Sequence, residues 1–336
     1  MQWSDAQVSC HRSGMIRRVA LRRLLRGCLA AVALLAVALA VLLRAGCWSL
    51  ATQRRPNPEP SASSWQAVLA GEPFVTVTPI VTGHATGDRR IVLDPEDPNV
   101  EQFRDRYAPS PVIAYRVRHP QRGDFLIDAG LSCSFAAGGG NYSAALRGLL
   151  AAMGSSVVQP AGSDAAAWLR ARGITPAAVF LTHLHGDHTS GLADLPCSVP
   201  AVFGLGDDTF MQKALMGDHL SCRPLQVLDF HAARAMPPFD AAIDLFGDGS
   251  LWALATPGHS AGHVSYLART GSGPMLITGD AAAYHEQLAH RIRPTPGVYD
   301  QAAAIRSLGA LAAFTRQFPR VTVAAGHDTP RANDAD

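Results

Sequence analysis

The stretch LTHLHGDHTSG, residues 181–191, places three histidines and an aspartate within the six positions from His183 to His188. Packing gives no reason to crowd such side chains against an apolar run, whereas metal binding does. In an extended segment side chains alternate, so His183 and His185 point to one side and can share an ion. Gly186 then permits a sharp turn that swings Asp187 and His188 to a second position. Imidazole nitrogen mixed with carboxylate oxygen suits Zn²⁺ and also accommodates Fe or Mn. A second ion needs further ligands: TPGHSAGH supplies His259, TGD supplies Asp280 and AAGHD supplies His327. His263, also in TPGHSAGH, is the nearest decoy and is expected to support the site rather than ligate in it. The scattered His84, His119, His219, His231, His285 and His290 are expected to be ordinary surface or core histidines.

A scaffold must bring these groups together. PVIAYRV (111–117), DFLIDAG (124–130), AAVFLTHLH (177–185), PAVFGLG (200–206), LWALATPGH (251–259), PMLITGD (274–280) and VTVAAGHD (321–328) have the length and β-branched content of strands. Helical apolar spacing occurs in 142–153, 163–172 and 299–318. The mixture predicts an α/β or α+β fold with two sheets. His183, His185, His259, Asp280 and His327 all fall at or just past the C-terminal end of a strand. Loops at such ends, on a rigid scaffold, collect functional groups.

The first 50 residues differ in kind. Arg17, Arg18, Arg22, Arg23 and Arg26 precede an uncharged apolar run, residues 27–43, which Arg44 closes. A basic region followed by such a run is the pattern of an export signal or membrane anchor, with Met1 or Met15 as the start. Positive charge stays inside, so the remainder is expected on the periplasmic or extracellular side, exported or held on the inner membrane. Residues 51–65 are rich in Pro and Ser and read as a solvated linker, with the folded domain over 66–336.

The leader also accounts for the formal net charge of +2. Residues 1–55 hold nine of the 29 Lys and Arg and one of the 27 acids, which leaves 20 basic against 26 acidic side chains, net −6. With no basic cluster beyond the leader, nucleic acid is excluded as a partner. Outside the leader stand Cys133, Cys197 and Cys222, without the Cys-x-x-Cys spacing of a structural zinc site. Cys197 and Cys222 pair or stay free with equal expectation.

LIDAG (126–130), THLHGDH (182–188), TPGHSAGH (256–263), TGD (278–280) and AGHD (325–328) occur in the order in which the metallo-β-lactamase superfamily carries them. From about Val75 to Asp328 the chain resembles that superfamily. The resemblance implies a four-layer αββα sandwich with the metals at one edge between the sheets. It also implies His183, His185 and His259 on one ion, Asp187, His188 and His327 on the other, and Asp280 bridging them. Two divalent ions, zinc being the expected pair, lower the pKa of a shared water and polarise a carbonyl. The chemistry is hydrolysis of an ester-like bond by a bridging hydroxide, with the leaving group stabilised by a metal or by protonated Asp187.

Fold and metals do not choose the substrate. True β-lactamases of the superfamily lack the bridging aspartate that Asp280 would supply. The seven-ligand pattern is similar to glyoxalase II-type thioesterases and to N-acyl homoserine lactone lactonases. AYRVRHPQRGDFLIDAG and the long stretch from Gly130 to Ile174 resemble the lactonases. So does Tyr284, near the place of a tyrosine that hydrogen-bonds the lactone carbonyl. The chain as given ends soon after His327, so a C-terminal helical glutathione-binding domain is not expected. A lactone or related ester is therefore the expected substrate, a thioesterase or β-lactamase the alternative and a non-catalytic metal-binding module the remote one. An acyl tail would meet Phe74, Phe103, Tyr107 or Phe210, if aromatics form its wall.

Overall fold

Among the described residues fifteen strands form two sheets. The first contains β1 (Gln53–Arg54), β2 (Thr76–Thr86), β3 (Ser110–His119), β4 (Gly123–Ile127), β5 (Ser156–Val158), β6 (Val179–Phe180), β7 (Ala201–Gly204) and β8 (Leu225–Leu228), in the order β1-β8-β7-β6-β4-β3-β2-β5. The second runs β15-β14-β13-β12-β11-β10-β9. Its strands are β9 (Arg234–Met236), β10 (Phe239–Asp244), β11 (Leu251–Ala255), β12 (Val264–Ala268), β13 (Met275–Gly279), β14 (Thr322–Ala325) and β15 (Arg331–Ala332). These come from a computed structural model that describes residues 49–332. The arginine-flanked apolar run, residues 27–43, lies outside the described residues. Among the described residues no helix is long and apolar enough to cross a membrane.

Period-two alternation builds the layers. Ile113, Tyr115 and Val117 of β3 pack against Leu251, Ala253 and Tyr266 from the second sheet, in one core between the sheets. The intervening residues face outward. Ala114 and Leu126 meet Ala165 and Leu169 of helix α3 (Ala165–Arg170), one helix after α1 (Trp65–Ala70) and α2 (Ala144–Ala152). On the other side Trp252, Leu254 and Leu276 meet Leu308, Leu311 and Phe314 of the 17-residue helix Gln301–Gln317. The result is helix, sheet, sheet, helix.

Every run expected as a strand contains one, but the paired part of AAVFLTHLH is only Val179–Phe180. Beyond it the chain is held by other means: the Tyr266 hydroxyl donates to the Leu181 carbonyl at 2.8 Å, and Val264 N donates to the Thr182 carbonyl at 2.8 Å. The second sheet thus pins the segment that leads to His183.

The Pro- and Ser-rich stretch is not free of the domain. Gln53 and Arg54 pair in parallel with Gln226 and Val227 of β8, and Asn57 Nδ2 donates to the Asp229 carbonyl. Ser61 N donates to Asp244 at 3.0 Å. Composition signalled exposure, which most of these residues have, and missed edge-strand addition, which needs only backbone groups. Cys197 and Cys222 are disulfide-bonded across 25 residues, and closing a loop of that size contributes on the order of 3 kcal/mol.

Candidate metal centre

The ligand-type residues are carried at strand ends. Asp128 follows β4, the His183 to His188 segment follows β6, His259 follows β11, Asp280 follows β13 and His327 follows β14. His185 caps a single helical turn, α4 (Gly186–Thr189), and this turn carries Asp187 and His188. The chain turns at Gly186 from the extended His185 into this helix, without a positive φ at the glycine. A Cβ there would lie 2.7 Å from the Tyr142 ring, so the glycine leaves room for a side chain.

The seven expected ligands form two groups. His183, His185, His259 and Asp280 offer atoms within 4.8 Å of one another, and so do Asp187, His188 and His327. Asp280 faces both. Its Oδ2 lies 3.5 Å from His259 Nε2 and 3.4 Å from His327 Nε2, while Oδ1 lies 3.4 Å from His188 Nε2. The Nε2 atoms of His183 and His188 and Oδ1 of Asp280 are buried without a hydrogen-bond partner. Buried polar atoms are normally satisfied, and orphaned donor atoms converging from separate strands are what a cation would satisfy. The donor set therefore fits two divalent ions.

The two groups differ in charge. Burial pushes His183, His185 and His259 below the ordinary imidazole range, which leaves neutral rings with free lone pairs. Burial acts the same way on His188, but the carboxylates of Asp128, Asp187 and Asp280 outweigh it and hold His188 well above that range. His327 rises to about 9 against its burial because Asp280 faces it. Asp280, buried as well, is held well below the usual carboxylate range by His327 and His188. Cation binding would release those imidazole protons.

Asp128 is the functional residue that the histidine pattern did not disclose. Its Oδ2 accepts from His188 Nδ1 at 2.8 Å, which leaves His188 Nε2 aimed at the site, and its Oδ1 accepts from Thr182 N at 2.7 Å. It sits at φ 56, a left-handed conformation that Asp tolerates better than most residues. The signal lay in LIDAG, an aspartate ending an apolar strand.

His263 does stand behind the ligands. Its Nε2 accepts from Asp280 N at 3.0 Å, so Nδ1 bears the proton and donates to Thr256 Oγ1 at 2.9 Å. Thr256 donates on to Ser265, and Ser265 to the Thr278 carbonyl. Burial brings His263 to about 3, consistent with an acceptor nitrogen at Nε2. The loop bearing His259 is clamped from the first sheet, where Asp207 Oδ1 accepts from Gly262 N at 2.7 Å. A Cβ on Gly262 would lie 2.3 Å from the Gly204 carbonyl oxygen, so only glycine permits this approach.

Tyr284 is buried, with its hydroxyl 3.2 Å from Ser110 Oγ, its ring 4.0 Å below the Arg89 guanidinium and 6.2 Å from the His327 ring. Beside His185 and His259 opens a cavity of about 430 Å³. Met211, Leu215, Met216 and Tyr299 line it, and none of Phe74, Phe103, Tyr107 or Phe210 does. The wall is made mainly of flexible aliphatic and thioether side chains with one tyrosine, which no local pattern singles out, and of those four aromatics Phe103 is a core residue.

The sequence profile of the metallo-beta-lactamase superfamily matches residues 107–327. An N-acyl homoserine lactonase of Azorhizobium caulinodans is 30% identical over 174 residues, 48% of this chain and 63% of that protein. A hydroxyacylglutathione hydrolase of Halorhodospira halophila is 31% identical over 48% of this chain and 51% of that protein. The chain thus spans about half to just under two thirds of these relatives' own length. A solved structure of a B. thuringiensis AiiA variant with bound N-decanoyl-L-homoserine matches with TM-score 0.57 at 19% identity, over 76% of this chain and 94% of that one. That likeness is one of fold.

Proposed function

Since this chain belongs to the metallo-beta-lactamase superfamily, we propose that it is an exported dinuclear-metal hydrolase that opens a lactone, an N-acyl homoserine lactone or a related ester. The observation that carries this reading is Asp280, placed against histidines of both ligand groups, one of which, His259, lines a cavity with a largely apolar wall. Such a pair of sites suits a compact ester joined to an apolar tail. His183, His185, His259 and Asp280 would hold one ion and Asp187, His188, His327 and Asp280 the other, zinc fitting the nitrogen-rich donor set. The ions would supply Lewis acidity and a water of lowered pKa.

The chain's own residues do the rest. Asp128 fixes the ring of His188, and His263 fixes the backbone at Asp280. Asp187 keeps 27% of its side chain open to solvent, more than its neighbours in the site. It can take the water's proton at Oδ2 and pass it to the ring oxygen as the carbonyl carbon to oxygen bond breaks. Tyr284 would reach a substrate carbonyl by exchanging its Ser110 contact for it. The apolar segment 27–43 would anchor or export the chain, with the domain and the stretch 51–65 that adds to its edge outside the membrane.

The test is ring opening of a long-chain N-acyl homoserine lactone by the zinc-loaded protein, with S-lactoylglutathione and a cephalosporin run in parallel. Lactone turnover that a chelator abolishes is the expected result. Turnover of the thioester or cephalosporin without the lactone would keep the metal assignment and overturn the substrate.

A further inference from the structure

The segment that joins the apolar leader to the domain meets it at one corner. Leu50 N donates to Thr209 Oγ1 at 3.0 Å, and Leu50 packs against the core beneath the first sheet. From there the chain has no slack: β1 pairs with β8, Arg55 N donates to the Val227 carbonyl at 2.9 Å, and Arg55 Nη1 donates to Gln226 at 2.9 Å. The apolar run closes at Leu43, and the seven residues from there to Leu50 reach at most about 25 Å.

Thr209 also begins the short helix α5 (Thr209–Met211), the wall of the cavity beside His185 and His259. Three apolar or aromatic residues of its lining stand open to solvent: Met211 is 45% exposed, Leu215 40% and Tyr299 74%. In the same stretch Lys213 is paired with Asp218 at 2.8 Å, and Asp208 caps α5 through Phe210 N and Met211 N. An apolar rim with a tyrosine matches the composition of surfaces that settle into the headgroup boundary of a bilayer.

We propose that the rim formed by Met211, Leu215 and Tyr299 rests on the lipid bilayer, so that the cavity draws its substrate from the membrane interface. The occupant is lipid because the attachment at Thr209 lies two residues from Met211, and a short tether there keeps the rim near the bilayer that holds the leader. The proposal rests on reading residues 27–43 as a retained anchor. It implies an amphiphilic substrate whose tail passes from lipid into the cavity while its ester reaches the histidines.

The experiment uses the full chain in phosphatidylcholine vesicles with a fraction of the lipids carrying nitroxide quenchers. Single variants Met211→Trp and Leu215→Trp are compared with Phe74→Trp, with the parent's emission subtracted. Phe74 adjoins Val75, which bridges to Thr270 past the end of β12 remote from His263, and is 43% exposed. Quenching of the added emission at 211 and 215 is expected to exceed that at 74 by at least about twofold, the contrast between a ring at the headgroup boundary and one in water. Equal quenching at all three positions overturns the proposal while leaving the anchor intact. Failure of the chain to float with the vesicles overturns both. A blue shift without quenching that grows with protein concentration assigns the rim to a second copy and also overturns it. The readout needs no turnover, so failure of the lactonase reading would be seen separately in the ring-opening assay.

Discussion

The two ligand groups stand side by side, share Asp280 and are built in opposite ways. In the first, His183, His185 and His259 have been stripped of water and driven neutral by burial, and His259 Nε2 lies 3.0 Å from His185 Nδ1. The supporting carboxylate, Asp207, acts at a distance by holding the Gly262 amide of the loop. In the second, carboxylates touch the imidazoles directly: Asp128 is 2.8 Å from His188, and Asp187 is 3.5 Å from His327. Desolvation prepares one half and anionic neighbours prepare the other. Both routes yield a cation site, because a neutral lone pair and a carboxylate-balanced proton can each be replaced by a metal bond.

Asp280→Ala should damage both halves at once. Bound metal is expected to fall below two ions per chain and kcat/KM to drop by about a thousandfold or more, measured by metal analysis and turnover on the same preparation. Unchanged metal content would end the idea that one carboxylate serves both. Asp128→Asn should separate the halves. It keeps the size but weakens the support of His188, so the second half should lose about 10 to 100-fold in metal affinity with little change in the first, as a calorimetric titration would resolve. Equal losses in both would break the comparison.

His263→Ala removes a group behind Asp280 rather than a ligand and should cost about tenfold in kcat/KM, well short of the loss from His259→Ala. The reverse order would move the ligand within TPGHSAGH. The smallest effect belongs to Asp207, whose carboxyl is raised by burial to about 6 from an ordinary value of 3.8. Between those values the folded chain holds a proton that the unfolded chain has lost, so this group lowers stability as pH rises through that window. The Tm of Asp207→Asn relative to the parent should therefore rise from about pH 4 to about pH 7. A flat difference would show that Asp207 bears no such cost, the hydrogen bonds to its carboxylate, that from Gly262 N among them, offsetting its burial.

Much of the site was legible because its ligands are local in sequence or stand at strand ends. His183, His185, Asp187 and His188 fall within one hexapeptide, and His259, Asp280 and His327 each close an apolar run. LIDAG places Asp128 at a strand end but assigns it no role, since nothing local says that its carboxylate will meet a histidine 60 residues on. Asp207 gave no signal at all: its partner is a backbone amide in the other sheet's loop. The cavity wall is illegible for a related reason: an aromatic such as Phe103 serves a core as readily as a pocket, and it is buried against Arg89 and Tyr284, while Met211 and Leu215 face the opening.

The sequence by itself determined the periodicities, the strand ends and the seven donor side chains, because each of these is written in residue type and near-neighbour spacing. The resemblance implied a common edge and a shared Asp280, but the tertiary structure alone decided which atoms meet there, Asp128 on His188 and Asp207 on Gly262 among them, and that the proline-rich stretch adds to β8. Those outcomes depend on how two sheets close over a common core and on backbone groups that every residue carries, and neither is encoded in a local pattern.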